Sequence, residues 1–404
     1  MKFWHPLAGA GRVLTTTCVV ALAAGCAATP APRAVATTAM PFDEAAALAA
    51  DGLAAQTQKS ASFLSRVGAG SGQRTVVLDP MLESSTGQQT AATLRLESRV
   101  IARLAGRADP FEILPFQSAS LERARYLLTG TLARAGGEPG RPALQIQLAL
   151  TDLKSGVVVA QASALALDRE LDHTPLAYDR DSPVLVKDAV VEGYGRTSAT
   201  PAGQRADPYY LERIASATLI REATELYNEA RYVEALGRYR SALAMPHGEQ
   251  LRVLNGIYLT SVKLGRTAEA EQAFGRVVAL GIAYSQLGVK LLFNPGGLDF
   301  WADPRVSGVY PMWLRQIARE SLAAKACMTI VGHTSRTGSD QVNDTLSLQR
   351  ANLVRQRLVA EAPALAARAK AEGRGFRENI VGSASDNAVD ALDRRVEFKI
   401  VPCG

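Results

Sequence analysis

Apolar and polar residues alternate, or apolar residues run together in short stretches, through much of residues 42–170. The runs "RTVVLDP", "FEILPF", "YLLTGTLAR" and "ALQIQLALTDLKSGVVVAQASALAL" predict strands, and residues 154–156 predict a hairpin turn because alternating apolar runs flank them. Helices are predicted after Pro41 and over "TAATLRLESRVIARLAG", where apolar residues form a stripe. This order of elements predicts an α/β domain with a mixed sheet backed by helices.

After residue 170 the pattern changes twice. Residues 171–206 are polar and rich in Asp, Pro, Gly and Thr without a regular period, which predicts a linker or an irregular excursion, although its valines could pack on a neighbour. Residues 207–287 have a helical pattern in which small and aromatic residues recur 35 positions apart: Ala230, Ala235 and Tyr239 reappear as Gly265, Ala270 and Phe274. This pattern resembles a pair of tetratricopeptide-like repeats, which recognise proteins. A plain helical spacer is the alternative interpretation.

Residues 288–404 show the order strand, helix, strand, helix, strand, strand. The runs "VKLLFNPGG" and "CMTIVGHT" predict the first two strands, and "FRENIVGSAS" and "RRVEFKIVP" predict the last two. One helix is predicted over "PMWLRQIARESLAAK", and another begins after Ser339, a suitable N-cap residue followed by Asp340 in the first turn. The chain as a whole is therefore predicted to be a multidomain α+β protein.

The N-terminus carries a targeting signal. The 13-residue apolar stretch "VLTTTCVVALAAG" is too short to span a bilayer but fits a secretory signal. With "LAAGC" it resembles a bacterial lipoprotein signal, which implies removal of residues 1–25 and lipidation, including palmitate, of Cys26. In such lipoproteins Ala27, rather than Asp, implies delivery to the outer membrane, facing the periplasm. An ordinary cleaved signal is the alternative, and residues 26–41 predict a flexible tether.

The chain contains four cysteines, and their positions predict one disulfide. Cys18 lies in the signal and Cys26 would carry lipid, so Cys327 and Cys403 remain in an oxidising compartment. Cys327 directly precedes one predicted strand and Cys403 directly follows another. We therefore predict a Cys327–Cys403 disulfide, with two buried thiols as the alternative.

Composition and motifs argue against several classes of function. The net charge of +6 is small for 404 residues, so nucleic acid is not an expected partner. The four histidines lack metal-ligand spacing, and no CxxC pair is present. The sequence also lacks GxSxG, a P-loop and a GxGxxG after a strand. We expect no enzyme activity, no cofactor and no metal site.

The motifs "VGHTSRTG", "N..LSLQRA" and "DRRVEFKI" resemble the OmpA-like peptidoglycan-binding domain, which implies a βαβαββ fold. The resemblance also implies a pocket that holds the free carboxylate and amine of diaminopimelate in a peptidoglycan stem peptide. Carried over by position, the implied ligand-binding residues are Thr334, Ser335, Asn343, Arg350 and Arg394. Ser335 stands where the family has a ligand-binding Asp, and Asp393 stands where Asn is usual.

Helical spacing supports a pocket beside Arg350. Asn343 and Arg350 are seven positions apart and share a helix face. Arg350 falls in an otherwise apolar sector, where a charge is costly unless it meets an acid from another element or a ligand carboxylate. Ser335 brings no charge for the ligand amine, although Asp340 or Asp344 could compensate. The alternatives are an internal salt bridge for Arg350 and a simple turn role for Ser335.

The motifs "VVLDP", "ARYLLTGTL" and "LQIQLALTDLKSGVVV" resemble the α/β domain of lipoprotein activators of penicillin-binding proteins and of curli-secretion and flagellar lipoproteins. Together the resemblances imply an outer-membrane-anchored lipoprotein that binds peptidoglycan non-covalently and scaffolds an envelope protein partner. Two alternatives remain at this point. The chain could regulate cell-wall synthesis with its C-terminal domain only localising it, or it could be a component of a secretion complex.

Overall fold

The first described helix, α1, and a mixed sheet form the N-terminal part of the fold in a computed structural model. The model describes residues 38–66, 74–108, 110–135, 143–169, 171–185, 187–380, 382 and 389–403. The predicted signal, Cys26 and most of the predicted tether lie outside these residues. Among the described helices, none has the length and hydropathy needed to cross a membrane.

The first sheet confirms the predicted strands and adds a short one. Its helices and strands are α1 (Phe42–Arg66), β1 (Thr75–Leu78), β2 (Leu82–Glu83), α2 (Ala91–Ala105), β3 (Glu112–Leu114), α3 (Ser118–Leu121), β4 (Tyr126–Ala135), β5 (Ala143–Asp152) and β6 (Val157–Leu167). The strand order is β3-β1-β4-β5-β6, with β2 also paired to β4. Strand β1 lies parallel to β3 and β4, and β4, β5 and β6 are antiparallel. Apolar residues of α1 and α2 share one buried cluster with this sheet.

The segment predicted as an irregular linker contains two helices, α4 (Ala177–Asp181) and α5 (Ala189–Ala199). Helix α5 begins at Asp188, whose side chain accepts hydrogen bonds from the first backbone amides of the helix. Its Tyr194 is buried, and the hydroxyl group donates to Gly130 O (2.9 Å) and accepts from Gly130 N (2.8 Å) in β4. The prediction was wrong because two glycines in α5 lower its helix propensity, and tertiary packing stabilises the helix instead.

The same segment also joins the C-terminal part of the chain. Val184 forms an antiparallel bridge with Val289, and Lys290 N donates to Pro183 O (3.1 Å). Val184 and Val289 are both buried. Residues more than a hundred positions apart are therefore joined directly.

Five helices occupy the region predicted to be helical: α6 (Pro208–Leu211), α7 (Ile214–Asn228), α8 (Tyr232–Ala244), α9 (Leu251–Lys263) and α10 (Thr267–Ala283). Ala235 and Ala270, the recurring small residues, are buried. Helices α8 and α9 approach closely, because a Cβ at Gly256 would overlap the ring of Tyr239. The tetratricopeptide-like character of these helices remains a prediction.

The second sheet has the order β7-β10-β8-β9. Its region comprises β7 (Leu291–Leu292), α11 (Pro304–Ser307), α12 (Tyr310–Ala323), β8 (Cys327–Gly332), α13 (Asp340–Glu361), β9 (Ala369–Gly373) and β10 (Arg395–Val401), with short 3-10 helices at Pro363–Ala367 and Val389–Leu392. Strand β10 is antiparallel to β7 and β8, and β9 is parallel to β8. Trp313 of α12 stacks on Phe274 of α10, so this domain shares one core with the helices.

One strand prediction in this region is wrong. The described residues of "FRENIVGSAS", 376–380 and 382, do not form a strand, and the third strand is instead "AKAEG", Ala369–Gly373. Alanine, lysine and glutamate favour helices, so this stretch gave no strand signal. Pairing with β8 overrides that local preference.

Candidate functional site

The end of β8 and the start of α13 form the candidate site. His333 N donates to Arg395 O (2.8 Å), and Thr334 N donates to Gly375 O (2.9 Å). At Gly332 a Cβ would overlap the carbonyl oxygen of Ser347, so only glycine allows this approach between β8 and α13. The "GHT" residues therefore fix the strand end against the helix.

Asn343 holds the turn that precedes α13. Its Nδ2 donates to Thr337 O (2.8 Å) and to Ser339 O (3.1 Å), so both amide hydrogens are used within the protein. The side chain of Ser339 accepts from Val342 N, as the predicted N-cap requires. Asn343 therefore positions the turn, and its predicted contact with a ligand stays a prediction.

Arg350 is fully buried and binds backbone carbonyl groups. Its Nε donates to Gly297 O (3.0 Å), Nη1 to His333 O (3.2 Å) and Nη2 to Asn294 O (2.8 Å). The guanidinium also lies 5.2 Å from the centre of the Phe293 ring. An acid or a ligand carboxylate was the predicted partner of Arg350. Backbone carbonyl oxygens carry no sequence signature and were not predicted.

Arg394 also contacts Phe293 and is 1% exposed. Its Nε donates to Phe293 O (3.3 Å), and its guanidinium lies 5.4 Å from the centre of the Trp301 ring. The neighbouring Asp393 accepts from Ile380 N (2.6 Å) and Gly382 N (2.7 Å). Arg350 and Arg394 therefore both contact Phe293, and both are buried.

Thr334 and Ser335 follow the strand and are also buried. Ser335 Oγ lies 3.4 Å from Thr337 Oγ1. Asp344, considered as a substitute acid, forms an ion pair with Arg377, whose hydrogen bond lowers the pKa of the Asp344 carboxyl. Its carboxylate is thus already engaged, whereas Asp340 is exposed at the first turn of α13.

Three residues with metal-ligand side chains lie near the strand end. The candidate ligand atoms of His333, Glu378 and Glu397 are within 4.8 Å of one another, and His333 Nε2 is 3.2 Å from Glu397 Oε1. Burial lowers the pKa of His333. Burial alone would raise the pKa of Glu397, but the hydrogen bond to His333 and the charge of Arg395 lower it to about 2. Since Arg395 already pairs with Glu397, the arrangement fits an internal ion pair better than a divalent cation.

The predicted disulfide is present between Cys327 and Cys403, with an S–S distance of 2.05 Å. Cys327 begins β8 and pairs with Val401 at the end of β10. The bond therefore joins the paired ends of the two strands opposite the candidate site.

Comparison with known proteins identifies part of the chain. Residues 314–391 match the family described as OmpA. No curated protein is significantly similar to the chain in sequence. These findings place the match within the region that the motifs had singled out.

Solved structures also resemble part of the chain. The peptidoglycan-associated lipoprotein from Burkholderia pseudomallei is 21% identical over 28% of this chain and 89% of its own, with a TM-score of 0.24. The cell wall anchor of the T6SS from Pseudomonas aeruginosa is 26% identical over 27% of this chain and 73% of its own, with a TM-score of 0.22. The periplasmic domain of Helicobacter pylori MotB is 18% identical over 30% of this chain and 71% of its own, also with a TM-score of 0.22. The family match alone assigns residues 314–391 to an OmpA-family domain, as predicted for the C-terminal part of the chain.

Proposed function

We propose that this chain binds peptidoglycan non-covalently through its C-terminal domain. The observation that carries the proposal is the convergence of Arg350 and Arg394 on Phe293. Arg350 lies within the residues that match the OmpA family, and Phe293 and Arg394 lie just outside them. A guanidinium group matches a carboxylate through two parallel hydrogen bonds. The ligand would be the carboxylate of diaminopimelate in a stem peptide.

Ser335 sets the expected strength of this binding. A serine hydroxyl group can hydrogen-bond the ligand amine but adds no charge, and a charge-assisted hydrogen bond contributes about 1.5–3 kcal/mol. We therefore expect affinity roughly ten- to hundredfold below that of domains with an aspartate at this position. Thr334 and Asn343 position the turn that carries Ser335.

The remaining parts of the proposal concern location. Lipidation of Cys26 would hold the chain at the outer membrane on its periplasmic side, and the C-terminal domain would hold the cell wall. Helices α7–α10 would bind an envelope protein partner. Metabolic labelling with a palmitate analogue tests the first point, since a Cys26→Ser variant must lose the label.

Sedimentation with purified peptidoglycan tests the central claim, using the full chain in detergent. Ser335→Asp should bind more tightly, and Arg350→Lys should lose binding because a single ammonium group cannot replace the guanidinium fork. Arg355→Lys is the matched control, since Arg355 lies on the same helix and also donates to carbonyl groups, of Ala369 and Ala366. Equal sedimentation of Arg350→Lys, Arg355→Lys and the unaltered chain would refute the site.

A further inference from the structure

The segment Phe293–Asp303, which we call the cover segment, folds back on itself beside β7. Phe293 forms an antiparallel bridge with Phe300, and Asn294 N donates to Asp299 O (3.0 Å). The Asn294 side chain accepts from Ala302 N (3.0 Å). Gly296 has a φ of 64°, which glycine adopts without strain. The segment is therefore a defined turn rather than an open loop.

The cover segment occupies part of the hydrogen-bonding capacity of Arg350. Among the described residues, three carbonyl groups accept hydrogen bonds from this guanidinium, and two of them, those of Asn294 and Gly297, belong to the segment. Phe293 adds its ring face. Arg350 has no solvent exposure in this arrangement. A ligand that contacts Arg350 on the side of the segment therefore meets these carbonyl groups first.

Two further arginines hold the same segment. Arg394 lies over the Trp301 ring at 5.4 Å, and Arg357 lies over the Phe300 ring at 5.0 Å. Cation–π contacts of this kind stabilise by about 0.5–1 kcal/mol at exposed sites. Arg350 and Arg394 are also the two cations of the candidate site. The groups that would bind a ligand are thus the groups that hold the cover segment closed.

We infer that the cover segment closes the peptidoglycan site, and that a carboxylate-bearing ligand enters by displacing the carbonyl groups of Asn294 and Gly297 from Arg350. This inference rests on the proposed function and adds to it a conformational step. The contact of Arg350 with His333 O can persist, since His333 is outside the segment.

The hydrogen bonds that are lost when the ligand displaces the carbonyl groups are replaced by others. Hydrogen bonds between a guanidinium group and a carboxylate are roughly twice as strong as those between neutral groups. The displaced carbonyl groups can bind water, because Pro295, Gly296 and Leu298 beside them are exposed. A neutral ligand gains no such advantage, so closure selects for acidic groups.

Only the open molecules can bind a ligand, so closure lowers the apparent affinity in proportion to the open fraction. Loosening the cover segment without altering Arg350 should therefore strengthen binding.

Gly296→Ala places a side chain at a positive φ and strains the turn, whereas at Gly297 a Cβ would be 3.8 Å from its nearest neighbour and is accommodated. Asn294→Ala removes the hydrogen bond to Ala302, and Asn352→Ala on the exposed face of α13 is its control.

Two measurements test the inference on the full chain. Phenylglyoxal modification of Arg350, followed by mass spectrometry, reports exposure of the guanidinium without any ligand. Sedimentation with peptidoglycan reports affinity. We expect faster modification and roughly two- to tenfold tighter binding for Gly296→Ala and Asn294→Ala, with Gly297→Ala and Asn352→Ala unchanged.

The outcomes separate this inference from the function on which it rests. Equal Arg350 modification in the loosened variants and the unaltered chain would overturn the closure. Faster modification with unchanged peptidoglycan binding would overturn entry of the ligand by this route. Faster modification in a chain that never sediments with peptidoglycan would retain the closure and overturn the proposed function.

Discussion

Two regions of this molecule bury charged side chains, and they stabilise them differently. In the C-terminal domain Arg350 and Arg394 are held by carbonyl oxygens and aromatic rings. Between the first sheet and the helices, Glu97 and Asp179 are held by backbone amides, those of Met81 (2.7 Å) and Gln89 (2.8 Å). Arginine keeps its charge at any working pH, whereas a buried carboxyl can become neutral.

The two kinds of buried charge therefore respond differently to pH. Burial raises the pKa of both Glu97 and Asp179 to about 7. Burial also raises the pKa of Asp79, which accepts a hydrogen bond from the Tyr210 hydroxyl (2.6 Å). The candidate ligand site thus retains its cations while the contact between sheet and helices gains or loses protons near neutrality.

Removing the guanidinium of Arg350 should have the largest effect. Arg350→Met leaves the carbonyl groups of Asn294, Gly297 and His333 without this donor, and we expect the free energy of unfolding to fall by about 4 kcal/mol. Urea denaturation measures this change. Arg355→Met, in a partly exposed position, should cost about 1 kcal/mol. Equal losses for the two variants would contradict the role assigned to the carbonyl groups around Arg350.

Opening the disulfide should have the next largest effect and should be confined to the C-terminal domain. The bond closes a loop with a sequence separation of 76 residues, and its loss should cost about 3 kcal/mol. Hydrogen exchange of the Cys327→Ser/Cys403→Ser variant should become faster in β8 and β10 and remain unchanged in β4–β6. Uniformly faster exchange would show that the two regions unfold as one unit.

Changing pH should alter the stability of the sheet–helix contact. The pKa of Glu97 rises from 4.5 to about 7 on folding, so stability falls as pH rises between these values. Glu97→Gln keeps an acceptor for Met81 N and should be more stable than the unaltered chain by about 2 kcal/mol above pH 7, with no difference below about pH 4. The exposed Glu44→Gln is the control. A flat difference between Glu97→Gln and the unaltered chain across this pH range would disprove the assignment.

The smallest effect is expected at His173, which has the opposite pH dependence. Its ring nitrogens lie 3.0 Å from Glu83 and 2.9 Å from Asp168, and the hydrogen bond to Glu83, followed by that to Asp168, raises the pKa of His173 to about 9. Its stabilisation is complete below pH 6.5 and is lost as pH rises through about 9. His173→Gln should lower stability by about 1 kcal/mol near pH 6, since the site is partly exposed. Convergence of the two unfolding curves above about pH 10 checks the sign.

Local patterns predicted much of this fold. We could predict β4, β5, β6 and the helix cap at Ser339, because the signal for each lies in residues that are neighbours in the sequence. The Cys327–Cys403 pair was readable because both cysteines flank strands. Helix α5 was missed, although Asp188 followed by Val190, Val191 and Tyr194 carries both a cap and an apolar stripe.

The site was only partly predictable. The motifs located Arg350, and its apolar helix sector showed that it needed a partner. Its observed partners at Asn294 and Gly297 are more than fifty residues away and act through backbone oxygens, which any residue supplies. The aromatic residues of the cover segment, Phe300 and Trp301, could have been noticed as unexplained large side chains in a turn.

The bridge between Val184 and Val289 has a mechanical consequence. The pairing closes a loop of the chain that contains helices α5–α10. A pull along the chain from residues 183 and 290 acts on this pairing and on its Lys290–Pro183 hydrogen bond before it can extend the loop. The part of the chain that carries these helices therefore lengthens only after the pairing breaks.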